Sequence, residues 1–276
     1  MRVIRRHRSC HGLAGNCPDR VTLDCVSFAL FIDVMGVQQA LVGGRSRSSE
    51  SRARFEKCTA QLTRFHDDLA GAIEAVDSMQ VPRFVAEFSD SAYIVDDRFA
   101  PVALTGILMM RRALRHDYPL RGGIGVGTFS HETSGVRTGK EQRIWSTSSF
   151  LGGAIVTAYQ AERSAVPGMR ILLHKTVMLR NAEPFVKPYA VPLEAGEADP
   201  NTGHELRFWK AAEAEIAKNR LNEFRQQQRL SPRADRHYGA TIAAYGRFAV
   251  DRRDLPLVGP ALWLRREDDD EPDGES

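Results

Sequence analysis

The chain has few cysteines, a modest aromatic content, no long apolar run and no strong excess of one charge. Its four cysteines among 276 residues lack the close paired spacing of a zinc site or disulfide framework, so reduced thiols are expected. No apolar run approaches the ~18 residues that a membrane helix needs. A net charge of +3 does not demand a nucleic-acid partner. We therefore expect a cytoplasmic protein with no membrane span and no stable nucleic-acid ligand.

What is present is the composition of an ordinary globular protein, 42% hydrophobic and 26% charged. The distribution of charge and of turn-forming residues predicts four parts along the chain. These parts are a flexible basic N-terminus over 1–21, a main domain over 22–193, a C-terminal helical extension over 194–250 and a tail over 251–276 that is acidic and disordered at its end.

Apolar periodicity predicts alternating strands and helices in the main domain. The predicted strands cover 22–34, a hairpin over 83–95, 120–127 and 169–174, and the predicted helices cover 55–79, 101–117, 150–164, 205–229 and 234–249. The first six elements follow the order βαββαβ, which is typical of a ferredoxin-like antiparallel sheet backed by helices. We therefore predict an α+β fold with this core and with extra C-terminal strands and helices.

Two aspartates carry the strongest functional signal, because each follows an apolar strand. Asp33 ends the first strand, and Asp90 lies at the turn of the predicted hairpin. A buried strand tolerates an acid at its end only where the charge is compensated, and a divalent cation compensates it well. Either aspartate alone is also an ordinary turn residue. Together they predict a site for Mg²⁺ or Mn²⁺, and hence for a nucleoside triphosphate.

The motifs around these aspartates occur in a characteristic order. Phe-Ile-Asp-Val-Met-Gly comes first, Phe-Ser-Asp-Ser follows in the hairpin, and Leu-Arg-Gly-Gly-Ile-Gly-Val-Gly and a helix ending Ala-Glu-Arg come later. Over residues 22–180 this series resembles the class III nucleotidyl cyclases, the adenylate and guanylate cyclase fold. Within that family it resembles the pyrimidine cyclases of the bacterial Pycsar antiphage system.

The resemblance implies a role for each matching position. Asp33 and Asp90 would be the catalytic carboxylates that hold two Mn²⁺ or Mg²⁺ ions, and the backbone carbonyl of Val34 would add a metal ligand. The triphosphate would lie against backbone amides and a guanidinium, from Val34, Met35, Gly36 and Arg121. The ribose 3′ oxygen would attack the α-phosphate and release pyrophosphate. Active sites of this family lie between two chains, which implies a homodimer with composite sites.

Departures from the purine cyclases concern the base and the transition state. The strand over 83–88 lacks the lysine that reads adenine, and Ser148 and Ser149 occupy the region of the base-reading aspartate, so both serines are candidates for base recognition. The resemblance places Val156 and Gln160 where the purine enzymes carry an asparagine and an arginine. The replacement cation could be Arg163, Lys140 or Arg143, and the sequence does not rank them.

The loss of the adenine-reading residues favours a pyrimidine base, and the resemblance implies a uridylate cyclase that would convert UTP to 3′,5′-cyclic UMP and pyrophosphate. By resemblance alone, its product would be a second messenger in antiphage defence, sensed by a separate effector protein. A cytidylate cyclase, a purine cyclase with unusual base reading and a catalytically dead nucleotide-binding regulator remain alternatives. A nucleic-acid-binding module built on a ferredoxin-like sheet is a further alternative, but it needs exposed aromatic residues on its strands, and the sequence shows no such set.

Overall fold

The structure is a computed structural model. It describes residues 2–5, 20–37, 49–76, 82–138, 143–179, 190–193, 196–197, 199–208, 214–227, 235–236 and 238–243. The strands in these ranges are β1 Arg2–Arg5, β2 Arg20–Val34, β3 Phe84–Glu87, β4 Ser91–Asp96, β5 Leu120–Thr138, β6 Arg143–Leu151, β7 Ile171–His174, β8 Ala190–Pro192 and β9 Thr202–Leu206. The helices are α1 Ser49–Ala75, α2 Phe99–Arg115, α3 Gly153–Glu162, α4 Lys175–Leu179 and α5 Ala214–Gln227.

In the described ranges these strands form one mixed sheet. Its order is β1-β3-β4-β2-β5-β7-β9-β8, and β6 pairs with β5 outside this path. The central strands β3, β4, β2 and β5 pair antiparallel with one another, whereas β7 runs parallel to β5. Strand order and chain order together give the ferredoxin-like βαββαβ arrangement, so the predicted α+β fold class is confirmed.

The two faces of the sheet bury different apolar clusters. Side chains alternate between the faces of a strand, so Leu30 and Ile32 of β2 pack with α1 and α2, while Ala29 and Phe31 pack with α3. Phe65 of α1 is fully buried in the first cluster. The end of β2 is therefore covered by helices on both faces, and Asp33, two residues after Phe31, lies on the α3 face.

The glycines of β5 allow α3 to lie directly on the strand. A Cβ atom on Gly123 would stand 2.2 Å from the carbonyl oxygen of Ala158, and one on Gly125 would stand 2.3 Å from the Ala158 amide nitrogen. No side chain fits in that space, so the glycine pattern is explained by close strand–helix packing. This packing brings the C-terminal end of α3 to the strand end where Asp33 lies.

Several predicted boundaries are wrong. Arg2–Arg5 pairs with β3 as a strand, although residues 1–21 were expected to be irregular. Phe150 and Leu151 belong to β6, so the third helix begins later than predicted. Glu205 belongs to β9, which pairs with β7, so the residues after 193 are not all helical. The division into four parts itself stays a prediction, and the tail over 251–276 lies outside the described residues.

Among the described helices, none has both the length and the apolar character required to cross a membrane.

Candidate active site

Three of the predicted site residues meet at one end of the sheet. In the central strands Asp33 is paired with Ser91 of β4 on one side and with Arg121 of β5 on the other. Asp90 immediately precedes Ser91, and its carbonyl oxygen accepts a hydrogen bond of 2.8 Å from the amide of Val34. Residues paired directly across antiparallel strands share a face, so Asp33 and Arg121 both lie on the α3 side. The structure thus places Asp33, Asp90 and Arg121 as neighbours.

The Arg121 guanidinium is buried, with 8% of the residue exposed. Its Nη2 donates to the carbonyl oxygen of Ser164 at 2.8 Å, and its Nε lies 3.8 Å from Oε1 of Glu162. That Nε is buried and has no hydrogen-bond acceptor among the described residues. Burial lowers the pKa of Arg121, and the Glu162 carboxylate acts against this shift. A buried N–H group without an acceptor, in the neighbourhood of Asp33 and Asp90, suits a hydrogen bond to an anionic oxygen of a ligand.

The C-terminal end of α3 adds two charged residues that the sequence did not assign together. Glu162 is buried, and its Oε2 lies 3.3 Å from Nε of Arg163. The Arg163 guanidinium also lies 5.2 Å from the centre of the Tyr159 ring, and 63% of the Arg163 side chain is exposed. Burial raises the pKa of Glu162, while Arg121 and Arg163 lower it. Glu162 therefore links a buried arginine to an exposed one beside Asp33.

Asp33 has the most perturbed carboxyl group of the site. Burial, followed by the charges of Glu162 and Asp90, raises the pKa of Asp33 from 3.8 to about 7, and Arg163 and Arg121 counteract only part of this rise. The ionised carboxylate is thus poorly compensated by the protein alone. A bound divalent cation would supply the missing positive charge.

The donor set fits a hard divalent cation. In the described part of the chain, no group of three or more histidine, cysteine, aspartate or glutamate side chains is arranged as a metal site. The candidate ligands are the two carboxylates of Asp33 and Asp90 and the carbonyl of Val34, which are all oxygen donors. Mg²⁺ and Mn²⁺ prefer oxygen ligands, and Mg²⁺ is commonly held by one or two carboxylates together with substrate phosphates. The assignment of these residues as ligands stays a prediction.

The expected triphosphate contacts are only partly available. The amide of Met35 donates to the carbonyl oxygen of Pro119 at 2.9 Å, and the amide of Val34 is bonded to Asp90. In this conformation these two amides do not supply the phosphate contacts expected of them. Gly36 differs, because its φ is +87° and nothing lies within 4 Å of the position where a Cβ would stand. At Gly36 the backbone therefore leaves open space for close approach of a ligand.

The candidate base-recognition serines belong to the hairpin that β5 and β6 form. Ser148 and Ser149 belong to β6, and Ser149 is paired with Glu132 of β5. The ring of Phe150, the residue after Ser149, lies 5.5 Å from that of Tyr93, and Tyr93 packs on Phe31, two residues before Asp33. The end of β6 therefore lies beside the aromatic layer next to the site. Their role in base recognition stays a prediction.

The candidates for the missing cation are separated by the structure. Lys140 lies outside the described residues, and Arg143 belongs to β6 with Ser148, on the far part of the hairpin. Val156 and Gln160 are exposed on α3. Arg163 is the candidate whose charge acts on Asp33, since it lowers the pKa of that carboxyl group.

Aromatic rings cover the sheet next to the acidic cluster. Tyr93 of β4 lies 4.6 Å from Phe31 and 5.5 Å from Phe150, measured between ring centres. Burial, and the proximity of Tyr159 and Glu162, raise the pKa of Tyr93 to about 12. Three large apolar or aromatic side chains near this layer are exposed, namely those of Leu151, Val156 and Tyr159. This face is therefore a continuous aromatic and apolar surface beside the charged site.

Comparisons with known proteins give a fold-level likeness. No family model matches the chain, and a search of curated proteins finds no match. Among solved structures, the guanylyl cyclase Cya2 is 17% identical, with a TM-score of 0.42 over 68% of this chain and 93% of that chain. The adenylyl cyclase CyaB from P. aeruginosa is 12% identical, with a TM-score of 0.37 over 66% and 93%. A bacterial light-regulated adenylyl cyclase is 12% identical, with a TM-score of 0.41 over 72% and 98%. Likenesses of this size do not establish an activity, so the functional argument rests on the site itself.

Proposed function

We propose that the chain is a nucleotidyl cyclase that converts UTP to 3′,5′-cyclic UMP and pyrophosphate with the help of two Mn²⁺ or Mg²⁺ ions. The observation that carries the proposal is the meeting of Asp33, Asp90 and Arg121 at one strand end, where the charge of Asp33 is poorly compensated. Paired carboxylates beside a buried guanidinium suit a metal–triphosphate complex.

In the proposed reaction the ribose 3′ oxygen forms a bond to the α-phosphorus. The bond between that phosphorus and the oxygen bridging to the β-phosphate breaks, and the 3′ hydroxyl proton leaves to solvent. When bound, the metal ions would acidify the 3′ hydroxyl and neutralise charge on the triphosphate. Asp33, Asp90 and the Val34 carbonyl would hold the ions, and Gly36 would leave room for the phosphates.

The two arginines would have different tasks. Arg121 is fixed by the Ser164 carbonyl and by Glu162, so it suits a preorganised contact with a phosphate oxygen. Arg163 is exposed and rests on Tyr159 and Glu162, so its guanidinium can move onto the reacting phosphate. We assign to Arg163 the transition-state charge that Val156 and Gln160 do not provide.

The proposal of a pyrimidine substrate is supported by the strand that leads to Asp90. Its charged residues are engaged elsewhere, since Arg83 pairs with Asp97 at 2.7 Å and Glu87 contacts His66 at 2.5 Å. Ala86 between them is completely buried. This strand therefore offers no free charged side chain to read a purine. UTP is preferred to CTP on the resemblance alone, and the same resemblance is the basis for proposing a second-messenger role sensed by a separate effector.

We also propose a homodimer with two composite sites. The exposed apolar surface around Val156 and Tyr159 suits contact with a second copy.

The decisive experiment offers purified protein each of the four ribonucleoside triphosphates with Mn²⁺ or Mg²⁺, and identifies the product by mass spectrometry. We expect cyclic UMP from UTP, and loss of at least about 100-fold in turnover for Asp33→Asn and for Asp90→Asn. Cyclic CMP or a cyclic purine nucleotide would correct the substrate.

A nucleotide-binding regulator without turnover is a second candidate, favoured by the uncharged residues Val156 and Gln160. Binding of a triphosphate with no cyclic product under any of these conditions would select it over the cyclase. Cyclic product that disappears in Asp33→Asn would eliminate it.

A further inference from the structure

One side chain on α1 reaches the turn that carries Asp90. Nδ1 of His66 lies 2.5 Å from Oε1 of Glu87, and its Nε2 lies 3.1 Å from the carbonyl oxygen of Ser89. Glu87 is the last residue of β3, and Ser89 immediately precedes Asp90. His66 therefore holds the hairpin on both its strand and its turn.

The other contacts of the turn come from the sheet. The amide of Phe88 donates to the carbonyl of Ser91 at 2.8 Å, and the amide of Val34 donates to the carbonyl of Asp90. The Ser89 hydroxyl donates to Oδ1 of Asp90 at 3.1 Å. Ser89 itself is exposed, so among the described residues the contact of its carbonyl with His66 is what ties it to a helix. A movement of Ser89 would move both the backbone of Asp90 and the hydroxyl that orients its carboxylate.

The platform that carries His66 is rigid. The neighbouring Phe65 is fully buried, and its ring lies edge-on to that of His66 at 5.3 Å. Two residues after His66 along α1, the buried carboxylate of Asp68 accepts hydrogen bonds from Tyr118 at 3.0 Å and from His116 at 2.8 Å. These contacts lock α1 to the end of α2, so His66 projects from a fixed helix.

The contacts of His66 also keep the carboxyl groups of Glu87 and Asp90 apart. Both ring nitrogens of His66 face oxygens that can accept a hydrogen bond, those of the Glu87 carboxylate and the Ser89 carbonyl. The bond to His66 keeps Glu87 on the α1 side and away from the cation that Asp90 is proposed to bind. The turn then presents a single carboxylate, that of Asp90, to the metal site.

We propose that His66 is a positioning residue for Asp90, which sets the affinity of the site for its divalent cations. This inference rests on the proposed function, because it takes Asp90 to be a metal ligand. His66 touches neither substrate nor metal, and it acts through Glu87 and Ser89.

The test measures Mn²⁺ binding directly, by the loss of the electron paramagnetic resonance signal of free Mn²⁺, and needs no turnover. His66→Phe keeps an aromatic ring beside Phe65 but loses both donors, and His66→Gln keeps one donor group. The matched control is His116→Phe, because His116 also bonds a carboxylate and has a similar exposure, 36% against 35% for the His66 side chain. His116 contacts Asp68 and not the turn of Asp90.

We expect His66→Phe to raise the half-saturating Mn²⁺ concentration by about 10-fold or more. His66→Gln should fall between this variant and the wild type, which also covers the case in which His66→Phe does not fold. His116→Phe should stay within about 2-fold of the wild type, even where its melting temperature falls.

Three results would overturn the inference, and they can be distinguished from one another. In the first, the wild type binds Mn²⁺, Asp90→Asn loses this binding, and both His66 variants bind as the wild type does. This result would remove the role of His66 alone. A wild type that binds no Mn²⁺, or whose binding survives Asp33→Asn and Asp90→Asn, would remove the proposed function and this inference with it. An equal loss of affinity in His116→Phe would show that helix packing in general, and not His66, sets the affinity.

Discussion

Replacement of Asp33 by asparagine should stabilise the metal-free protein at neutral and alkaline pH while it abolishes activity. Burial and the charges of Glu162 and Asp90 raise the pKa of Asp33 from 3.8 to about 7. In the unfolded chain this carboxyl group loses its proton near pH 4, whereas in the folded protein it keeps the proton up to about pH 7. The folded state therefore loses stability as pH rises through this window, and the penalty is complete above pH 7. Asparagine carries no charge and escapes the penalty.

The size of the effect follows from the shift. About three pKa units at ~1.36 kcal/mol per unit correspond to about 4 kcal/mol. Asp33 is only partly buried, so solvent screening reduces this figure, and we expect about 2 kcal/mol. For a chain of this length, that difference is about 5 °C in melting temperature. The difference should grow from about a third of its full size at pH 5 to its full size at pH 8, because the unfolded carboxyl group already loses its proton near pH 4.

The assay is thermal unfolding followed by circular dichroism, in EDTA, at pH 5, 6, 7 and 8. The control is Asp96→Asn, because Asp96 is also buried and burial also raises its pKa, but its carboxylate accepts hydrogen bonds from the amide of Arg98 at 2.9 Å and from that of Arg83 at 3.2 Å. Asparagine keeps only one acceptor oxygen, so the loss of one of these contacts should destabilise the control by about 1–3 kcal/mol at pH 8. The reasoning fails if Asp33→Asn is less stable than the wild type at pH 8, or if the difference between them does not change with pH.

Two further substitutions test the remaining parts of the site. Arg163→Ala should lower turnover by about 100-fold or more, and Arg163→Lys should lower it less. The melting temperature should stay nearly unchanged, because the Arg163 side chain is largely exposed. Unchanged turnover in steady-state kinetics would make Lys140 and Arg143 the candidates for the missing cation. Val156→Glu places a charge on the exposed apolar surface of α3, so sedimentation should show monomers and turnover should fall while Mn²⁺ binding persists. A fully active monomer would contradict the composite site.

The elements that could be predicted from the sequence are those whose signal is local. The apolar spacing of α1, the hairpin around Asp90 and the apolar run of β2 each lie within one short window. The missed strands β1, β6 and β9 depend on partners distant in the chain: β6, for example, pairs with β5 over nine positions although its sequence is rich in serine. The helix α3 begins after Gly152, whose φ of +145° ends β6, and hydrophobic periodicity carries no trace of that turn.

The positions of the two aspartates in the fold could be predicted from the sequence, whereas the positions of the charged groups around them could not. Asp33, Asp90 and Arg121 stand at strand ends in a recognisable order, but the positions of Glu162 and Arg163 depend on how α3 crosses the sheet. One local signal does mark Glu162: an acid in the last turn of a helix is opposed by the helix dipole and needs a cation nearby. Arg121 and Arg163 are those cations, so they are partly occupied before any substrate binds.

Three carboxylates, those of Asp33, Asp90 and Glu162, then face two guanidiniums, and a triphosphate would add further negative charge. The arginines alone do not balance that sum, so the proposed triphosphate would need divalent cations to enter with it.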